Sequence, residues 1–374
     1  MVSKRRAALF LLMLVLLFPS HVPAGEPVRI ASIFAHTGAA GIQNTGSIMG
    51  VRFAIRELND NGGLLGRKLE LIELDNKSTP IGSKVAADEA VKADVAAIIG
   101  ADWSSHSLAV ARVAQANGIP MISNISTNPE VTRVGDYIFR VCYTDPFQGR
   151  VMARFSREHL GAQSAVVFVD ITSDYSMGLA AVLRQSFEEM GGRVLLDLQY
   201  KHRQEDFRDL VLRAKNVQPD VLLFSGHDES ALILKEALRA GLTATAIGGD
   251  GFGTDSFHLK GGSELERAYY CTHLAAELAD ERSRRFVARY GNGPALTSSE
   301  ATSYDAVMVL ADALRRAGSA ERNRIREALA STKNFQGVTG RITFDGNGDP
   351  IKGAVIMEIR YGRRAYFRSI QPEG

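Results

Sequence analysis

Charge of one sign is what this chain lacks first: 44 Lys and Arg stand against 42 Asp and Glu. That balance leaves no electrostatic footprint for a nucleic-acid partner. The motifs of nucleotide chemistry are missing as well. Gly248-Gly-Asp-Gly-Phe-Gly253 does not spell G-x-G-x-x-G, and no G-x-x-x-x-G-K-[ST] occurs, which excludes a dinucleotide fingerprint and a P-loop. There is no G-x-S-x-G elbow. Ser104 and His106 stand two apart on a helical pattern and point to different sides, so hydrolase chemistry has no nucleophile and base within reach and no enzyme is expected. The eight histidines form no H-E-x-x-H or Cys/His cluster, so neither a metal nor another cofactor is expected. Asp345-Gly-Asn-Gly-Asp349 begins like a calcium loop, but Ile356 stands at its twelfth position and Pro350 interrupts it. A glycine-rich turn between strands is the better account.

Cysteine and tryptophan are scarce, with only Cys142, Cys271 and Trp103. Long apolar runs are absent outside the N-terminus. There, Lys4, Arg5 and Arg6 precede the uncharged stretch from Ala7 to Phe18, and Val22-Pro-Ala24 offers small residues at a cleavage site, the pattern of a secretory signal peptide over residues 1–24. The run is too short to span a bilayer with ease. With no cysteine near the cut, a lipid anchor is not expected, and the mature chain should be soluble from Gly25 onward. In an oxidising compartment Cys142 and Cys271 are a candidate disulfide, with two buried free thiols as the alternative.

What is present is an alternation of strand-like and helix-like runs, the signature of a parallel α/β sheet. The mature chain is longer than one hydrophobic core usually serves, so two domains are expected. The first unit runs through a strand at 28–34, a helix near 47–61, a strand at 68–75, a helix near 80–93 and a strand at 95–99. A strand at 119–122 and another at 137–141 follow. The rhythm then restarts, with helices at 148–160, 176–190, 207–216 and 229–240 between strands at 165–169, 194–200, 221–224 and 246–247. Beyond Cys271 come helices at 277–290, 299–317 and 321–330, then strands at 340–344, 354–360 and 366–370. No Pro/Gly/Ser linker separates the two units, which points to short crossovers and a ligand cleft between them.

Two loops carry the candidate chemistry. Gly100-Ala-Asp-Trp-Ser-Ser105 leaves one apolar strand for a helix N-terminus, a natural anion site, and Ser123-Asn-Ile-Ser-Thr-Asn-Pro-Glu130 leaves the next with a Thr-x-x-Glu capping box. Side by side, the two rims suit one small carboxylate. Asp174-Tyr175, Gly226-His227 and Asp250 each follow a strand of the second unit and should share one edge of its sheet, where a carboxylate can meet an ammonium.

These residues resemble the substrate-binding proteins of branched-chain amino-acid ABC transporters, the leucine/isoleucine/valine-binding group of type I periplasmic binding proteins. The resemblance spans the mature chain. It rests on Asn59-Asp-Asn-Gly-Gly-Leu-Leu-Gly66 with Lys68-Leu-Glu70, Ile98-Ile-Gly100 with Ser104-Ser105, and Ser126-Thr-Asn-Pro-Glu130 leading to Tyr137-Ile-Phe-Arg140. It also rests on Asp174-Tyr175, Ser303-Tyr-Asp-Ala306 and Gly337-Val-Thr-Gly-Arg-Ile-Thr-Phe-Asp345. It implies two doubly wound α/β lobes joined by three crossovers, residues 25–144 with 274–351 and residues 145–273 with 352–374. It also implies a monomeric receptor that hands an amino acid to an inner-membrane permease and ATPase. The alternative is a ligand-sensing module of the same fold that binds an amide or aromatic acid and signals to a partner.

By the same resemblance the ligand carboxylate meets Ser104, Ser105 and Thr127, and its ammonium meets Ile125, Thr127 and Asp250. Tyr175 closes from the second lobe, and Trp103, Gln43, His227 and Tyr304 line the side-chain pocket. Leucine-type binders carry tyrosine where this chain has Gln43 and His227, a small cysteine where it has Trp103, and a longer Glu where it has Asp250. The side-chain half of the site is therefore altered, toward a polar, aromatic or otherwise non-standard amino acid.

Overall fold

The computed structural model describes residues 25–275, 277, 281–291 and 296–372, so the expected signal peptide at 1–24 lies outside the described residues. The first sheet is built from β1 (Val28–Phe34), β2 (Leu69–Asp75), β3 (Ala97–Gly100), β4 (Met121–Ser123) and β5 (Ile138–Arg140). All are parallel, in the order β2-β1-β3-β4-β5. The helices α1 (Gly41–Asp60), α2 (Pro80–Lys92) and α3 (Ser104–Ala116) make its crossovers.

The chain then passes through α4 (Asp145–Arg154) to a second sheet. Its parallel part comprises β6 (Ser164–Asp170), β7 (Arg193–Tyr200), β8 (Val221–Phe224), β9 (Thr245–Gly248) and β10 (Ala268–Thr272). These are connected by α5 (Asp174–Glu189), α6 (Arg208–Val217), α7 (Glu229–Arg239) and α8 (Asp255–Gly261). Next come α9 (Glu281–Tyr290), α10 (Ser298–Ala317), α11 (Arg322–Ala330) and the small hairpin β11 (Phe335–Gly337) with β12 (Gly340–Ile342). These return to the first sheet: Phe286, Val307, Leu310, Leu314, Ile325 and Ile342 share a core with Ile30, Phe34 and Ile99. Finally β13 (Ala354–Arg360) and β14 (Arg363–Ile370) pair antiparallel along β10 and complete the second sheet. The chain thus crosses between the sheets three times. In each sheet the alternation of βα units directs the C-terminal strand ends to one edge, where doubly wound folds bind ligands.

Several boundaries differ from the sequence expectations for physical reasons. Helix α1 begins at Gly41, six residues before the expected start, because the weak helix formers Gly46 and Gly50 serve packing instead of propensity. A Cβ at Gly50 would run into the Glu300 carbonyl of α10, so glycine lets the two helices approach. The Thr-x-x-Glu capping box does not form. Asn128 caps a short 3-10 turn at Pro129–Val134, its side chain accepting the Glu130 N–H at 2.9 Å. Helix α8 and strand β10 were not anticipated as separate elements. The expected helix at 277–290 is described only from Glu281, residues 276 and 278–280 lying outside the described residues.

The candidate disulfide is also corrected: Cys142 and Cys271 are both free and buried. Each thiol has its own polar neighbour, Cys142 donating to the Ser126 carbonyl at 3.2 Å and Cys271 standing beside the Tyr143 hydroxyl. Burial pushes both thiols up to about 12, so they are poor nucleophiles in the folded chain.

Two buried cations knit the crossings. Arg140 is fully buried, and its guanidinium donates to Asp349 at 2.6 Å and to the carbonyls of Ser126 and Asn128. Lys352, also buried, donates to the Val141 carbonyl at 2.9 Å and to the Thr339 hydroxyl. Burial lowers its pKa to about 8, against the opposing attraction of Asp305.

Two predictions follow from this core. Without reductant, a thiol reagent should label neither cysteine in the native protein and both after denaturation; absence of labelling in denaturant would establish the disulfide instead. Arg140→Ala strands Asp349 and two buried carbonyls. It should cost about 3–5 kcal/mol in denaturant unfolding, and a loss below about 1 kcal/mol would show the network to be dispensable.

Candidate functional site

The two sheet edges face each other, and the loops leaving them line a cavity of about 40 Å³. From the first sheet it is lined by Gln43, Asp102, Trp103, Ser104, Ile125 and Ser299, and from the second by Tyr175, His227, Asp250, Gly251 and Thr254.

The first rim is built by β3 and β4. Gly100, at φ +144°, ends β3 in a conformation that only glycine adopts freely, and a Cβ there would overlap the Ile33 carbonyl. Asp102 follows in the left-handed region at φ +47°, which Asp tolerates better than most residues. A chain of hydroxyls and amides locks this loop to the next. Ser107 Oγ accepts the Ala101 N–H at 2.8 Å and shares a 2.6 Å bond with Ser126 Oγ, which lies 2.6 Å from the Asp102 carbonyl. Asn124 accepts the Asp102 N–H and donates to Ser47 and Ser303, both at 3.0 Å. The loop pair singled out in the sequence is therefore one rigid unit.

Helix α3 starts at Ser104 with no side chain capping it. Its first-turn N–H groups lack intrahelical acceptors and sit at the positive end of the helix dipole, so they form an anion site at the cavity wall. Ser104 Oγ accepts the Asn128 N–H at 3.4 Å. Ser105 lies one residue further on, and its side chain does not line the cavity.

The second rim centres on Asp250. Tyr175 Oη donates to Asp250 Oδ1 at 2.8 Å and accepts the Gly251 N–H at 3.2 Å. Gln148 Oε1 accepts the Asp250 N–H, while its amide donates to Asp145 at 2.8 Å and to Thr127 Oγ1 at 3.3 Å. Oδ2 of Asp250 stands 3.5 Å from His273 Nε2. Burial lowers the His273 pKa, and the neighbouring Asp250 opposes the shift. Burial raises Asp145 to about 7, with the negative Asp250 pushing the same way. Among the described residues no Lys or Arg lines the cavity, so two carboxyl groups, Asp102 and Asp250, face it without a lysine or arginine partner.

A column of rings spans the cleft. His106, Trp103, His227 and Tyr175 stack in succession with centroids 5.2, 5.1 and 4.7 Å apart, and His202 meets Trp103 edge-on at 5.5 Å. Trp103 Nε1 donates to Gln43 Oε1 at 3.0 Å. Thus Trp103, Gln43, His227, Tyr175, Ser104, Ile125 and Asp250 converge on one space. Thr127 is buried just behind it, engaged by Gln148 and by the Asp145 N–H.

Tyr304 does not join them. It packs on Phe53 and Phe286 and donates to Glu57 at 3.2 Å, beside a separate cavity. Ser299 and Ser303, one turn apart on α10, occupy the cleft-facing side; Tyr304 is rotated away from it. Sequence reasoning missed Asp102, Ser299 and Thr254. The available signals were a polar residue two positions after the strand-ending glycine and hydroxyls at i, i+4 on a helix.

The family described as periplasmic binding protein matches residues 27–364, and the chain belongs to that family. A "Leucine-, isoleucine-, valine-, threonine-, and alanine-binding protein" of Pseudomonas aeruginosa is 27% identical over 351 residues, 93% of each chain. The leucine-binding protein LivK of Thermotoga maritima superposes with a TM-score of 0.88 at 36% identity, covering 92% of this chain and 99% of its own. LivJ of Streptococcus pneumoniae, solved with isoleucine, has a TM-score of 0.88 at 26% identity, covering 92% of this chain and all of its own.

The cleft titrates in opposing directions. Burial raises Asp102 from 3.8 to about 7, with Glu300 adding repulsion against the hydrogen bonds from Asn124 and Ser47. Its stabilising contribution is present below pH 3.8 and is lost as pH rises through about 7. Burial lowers His106 from 6.5 to about 4, so its contribution is present above 6.5 and is lost as pH falls through about 4. In D102N only the histidine remains. The stability of the variant relative to the unaltered protein should rise by about 1.4 kcal/mol per pH unit between pH 4.5 and 6.5, measured by urea unfolding; parallel curves would show that Asp102 is ionised throughout.

Proposed function

We propose that this protein is a periplasmic receptor that captures an amino acid in the cleft between two lobes and delivers it to an inner-membrane ABC permease and ATPase. The lobes are residues 25–144 with 274–351 and residues 145–273 with 352–374. The leader at residues 1–24 directs export, and the mature chain acts as a monomer without turnover. The observation that carries this reading is the polarity of one small cavity: an uncapped helix N-terminus on one wall, two carboxylates on the others, and no Lys or Arg among the lining residues. An α-amino acid is a ligand whose two charges match that field.

In this reading the α-carboxylate takes the Ser104 hydroxyl and the amides near Ser105 and Thr127. The α-ammonium takes the Ile125 carbonyl, the Thr127 hydroxyl and Asp250. Tyr175, already bonded to Asp250, brings the second lobe down on the ligand. Closure desolvates both ion pairs, and the closed shape is what a permease distinguishes from the open one. The names of the relatives from Pseudomonas, Thermotoga and Streptococcus support amino acids as the ligand class.

Ser104→Ala and Asp250→Asn should each weaken amino-acid binding by an order of magnitude or more, in line with about 1.5–3 kcal/mol for a charged hydrogen bond. Titration calorimetry with the best ligand from a thermal-shift screen is the measurement. Unchanged affinity in both variants would overturn the assignment of the site.

A further inference from the structure

Asp102 is the one carboxyl group on the cavity wall for which the backbone of an amino acid has no use. Two donors, Ser47 Oγ at 2.7 Å and the Asn124 amide, converge on its Oδ1. No donor among the described residues reaches Oδ2, although the residue is only 6% exposed and lines the cavity. A buried polar atom without a hydrogen-bond partner stands on the opposite lobe: Nε2 of His227, another lining residue. Buried polar atoms without partners are costly, so a site that keeps them favours a ligand that supplies the missing partner.

Asp102 is also held in place for such a contact. Its N–H is bound by Asn124 and its carbonyl by Ser126, and Asn124 is braced in turn by Ser303 of α10. The stacked rings of Trp103, His227 and Tyr175 limit the length of anything that reaches it.

We propose that Asp102 reads the ligand side chain, selecting a short one that ends in a hydrogen-bond donor, a hydroxyl or an ammonium, over an aliphatic one of equal size. This rests on the amino-acid reading of the cleft. Threonine and valine form the matched pair, because they differ only in a hydroxyl for a methyl. A carboxylate turned into the site gains a bond from the first and is left unpaired against the second. In 2,4-diaminobutyrate a short side chain carries a full positive charge to the same oxygen.

The test is titration calorimetry of the mature chain with alanine, threonine, valine and 2,4-diaminobutyrate, in the unaltered protein and in D102L and D102N. Threonine should bind at least about tenfold more tightly than valine to the unaltered protein, and D102L should bring that ratio close to one. D102N is nearly isosteric and can keep the Ser47 and Asn124 bonds; it should lose at least about tenfold toward 2,4-diaminobutyrate. That variant decides the matter if D102L does not fold. Valine binding as tightly as threonine, or a ratio that D102L leaves unchanged, overturns the proposal. Alanine binding without a threonine preference overturns only this inference; failure of these four together with every other amino acid in the thermal-shift screen overturns the amino-acid reading itself.

Discussion

The guanidinium of Arg140 is the interaction on which the cleft depends. It stands at the end of β5, where the chain leaves the first sheet, and it holds three things at once: the carbonyls of Ser126 and Asn128 in the second cleft loop, and Asp349 shortly before the chain enters β13. A buried arginine is costly unless every N–H is used, and here the bonds that satisfy it are the ones that shape the loop. Lys352 repeats the arrangement nearby, tying Val141 of the first crossing to Thr339. The crossings are thus fastened to the binding loop by charged groups, which resist stretching, while side-chain stacking and a few hydrogen bonds join the opposed rims.

That division suits a cleft that opens and closes. Contacts between the rims include the Trp103 ring with His227 and His202, the Asn128 amide to the Asp174 carbonyl at 2.8 Å, Gln148 to Thr127, and Thr272 with Ser298 at 2.7 Å. Contacts within each rim are dense. A ligand that bridges the uncapped helix α3 and Asp250 adds charged bonds across the gap where the protein has only weak ones, so its binding energy acts on closure more than on the shape of either loop.

Much of this was legible in the sequence because it follows from backbone rules. The βα alternation, the glycine that ends β3, and the run of Ser, Thr and Asn after β4 place two loops at one sheet edge before any side-chain contact is known. What was not legible depends on packing between distant segments. That α1 starts at Gly41 and carries Gly46 and Gly50 against Glu300 depends on packing with α10. The resemblance placed Tyr304 in the pocket, but on α10 it stands one residue past Ser303, which turns its side chain away from the cleft toward Phe53 and Phe286. Asp102 was hidden for the opposite reason. It stands in the loop two residues past Gly100, and only the three-dimensional placement of Ser47 and Asn124 shows it to be buried and bonded. The two cysteines, plausible as a pair, have separate hydrogen-bonding neighbours, a matter that spacing along the chain does not reveal.

The order in which the chain is written also matters. The first sheet receives the apolar faces of α10 and α11 only after the whole parallel part of the second has been made, and the second is sealed along β10 only by β13 and β14 near the C-terminus. Neither half can therefore complete its core until nearly the whole chain is present, so the two lobes depend on the same late stretch of sequence, and a C-terminal truncation that reaches α10 opens both.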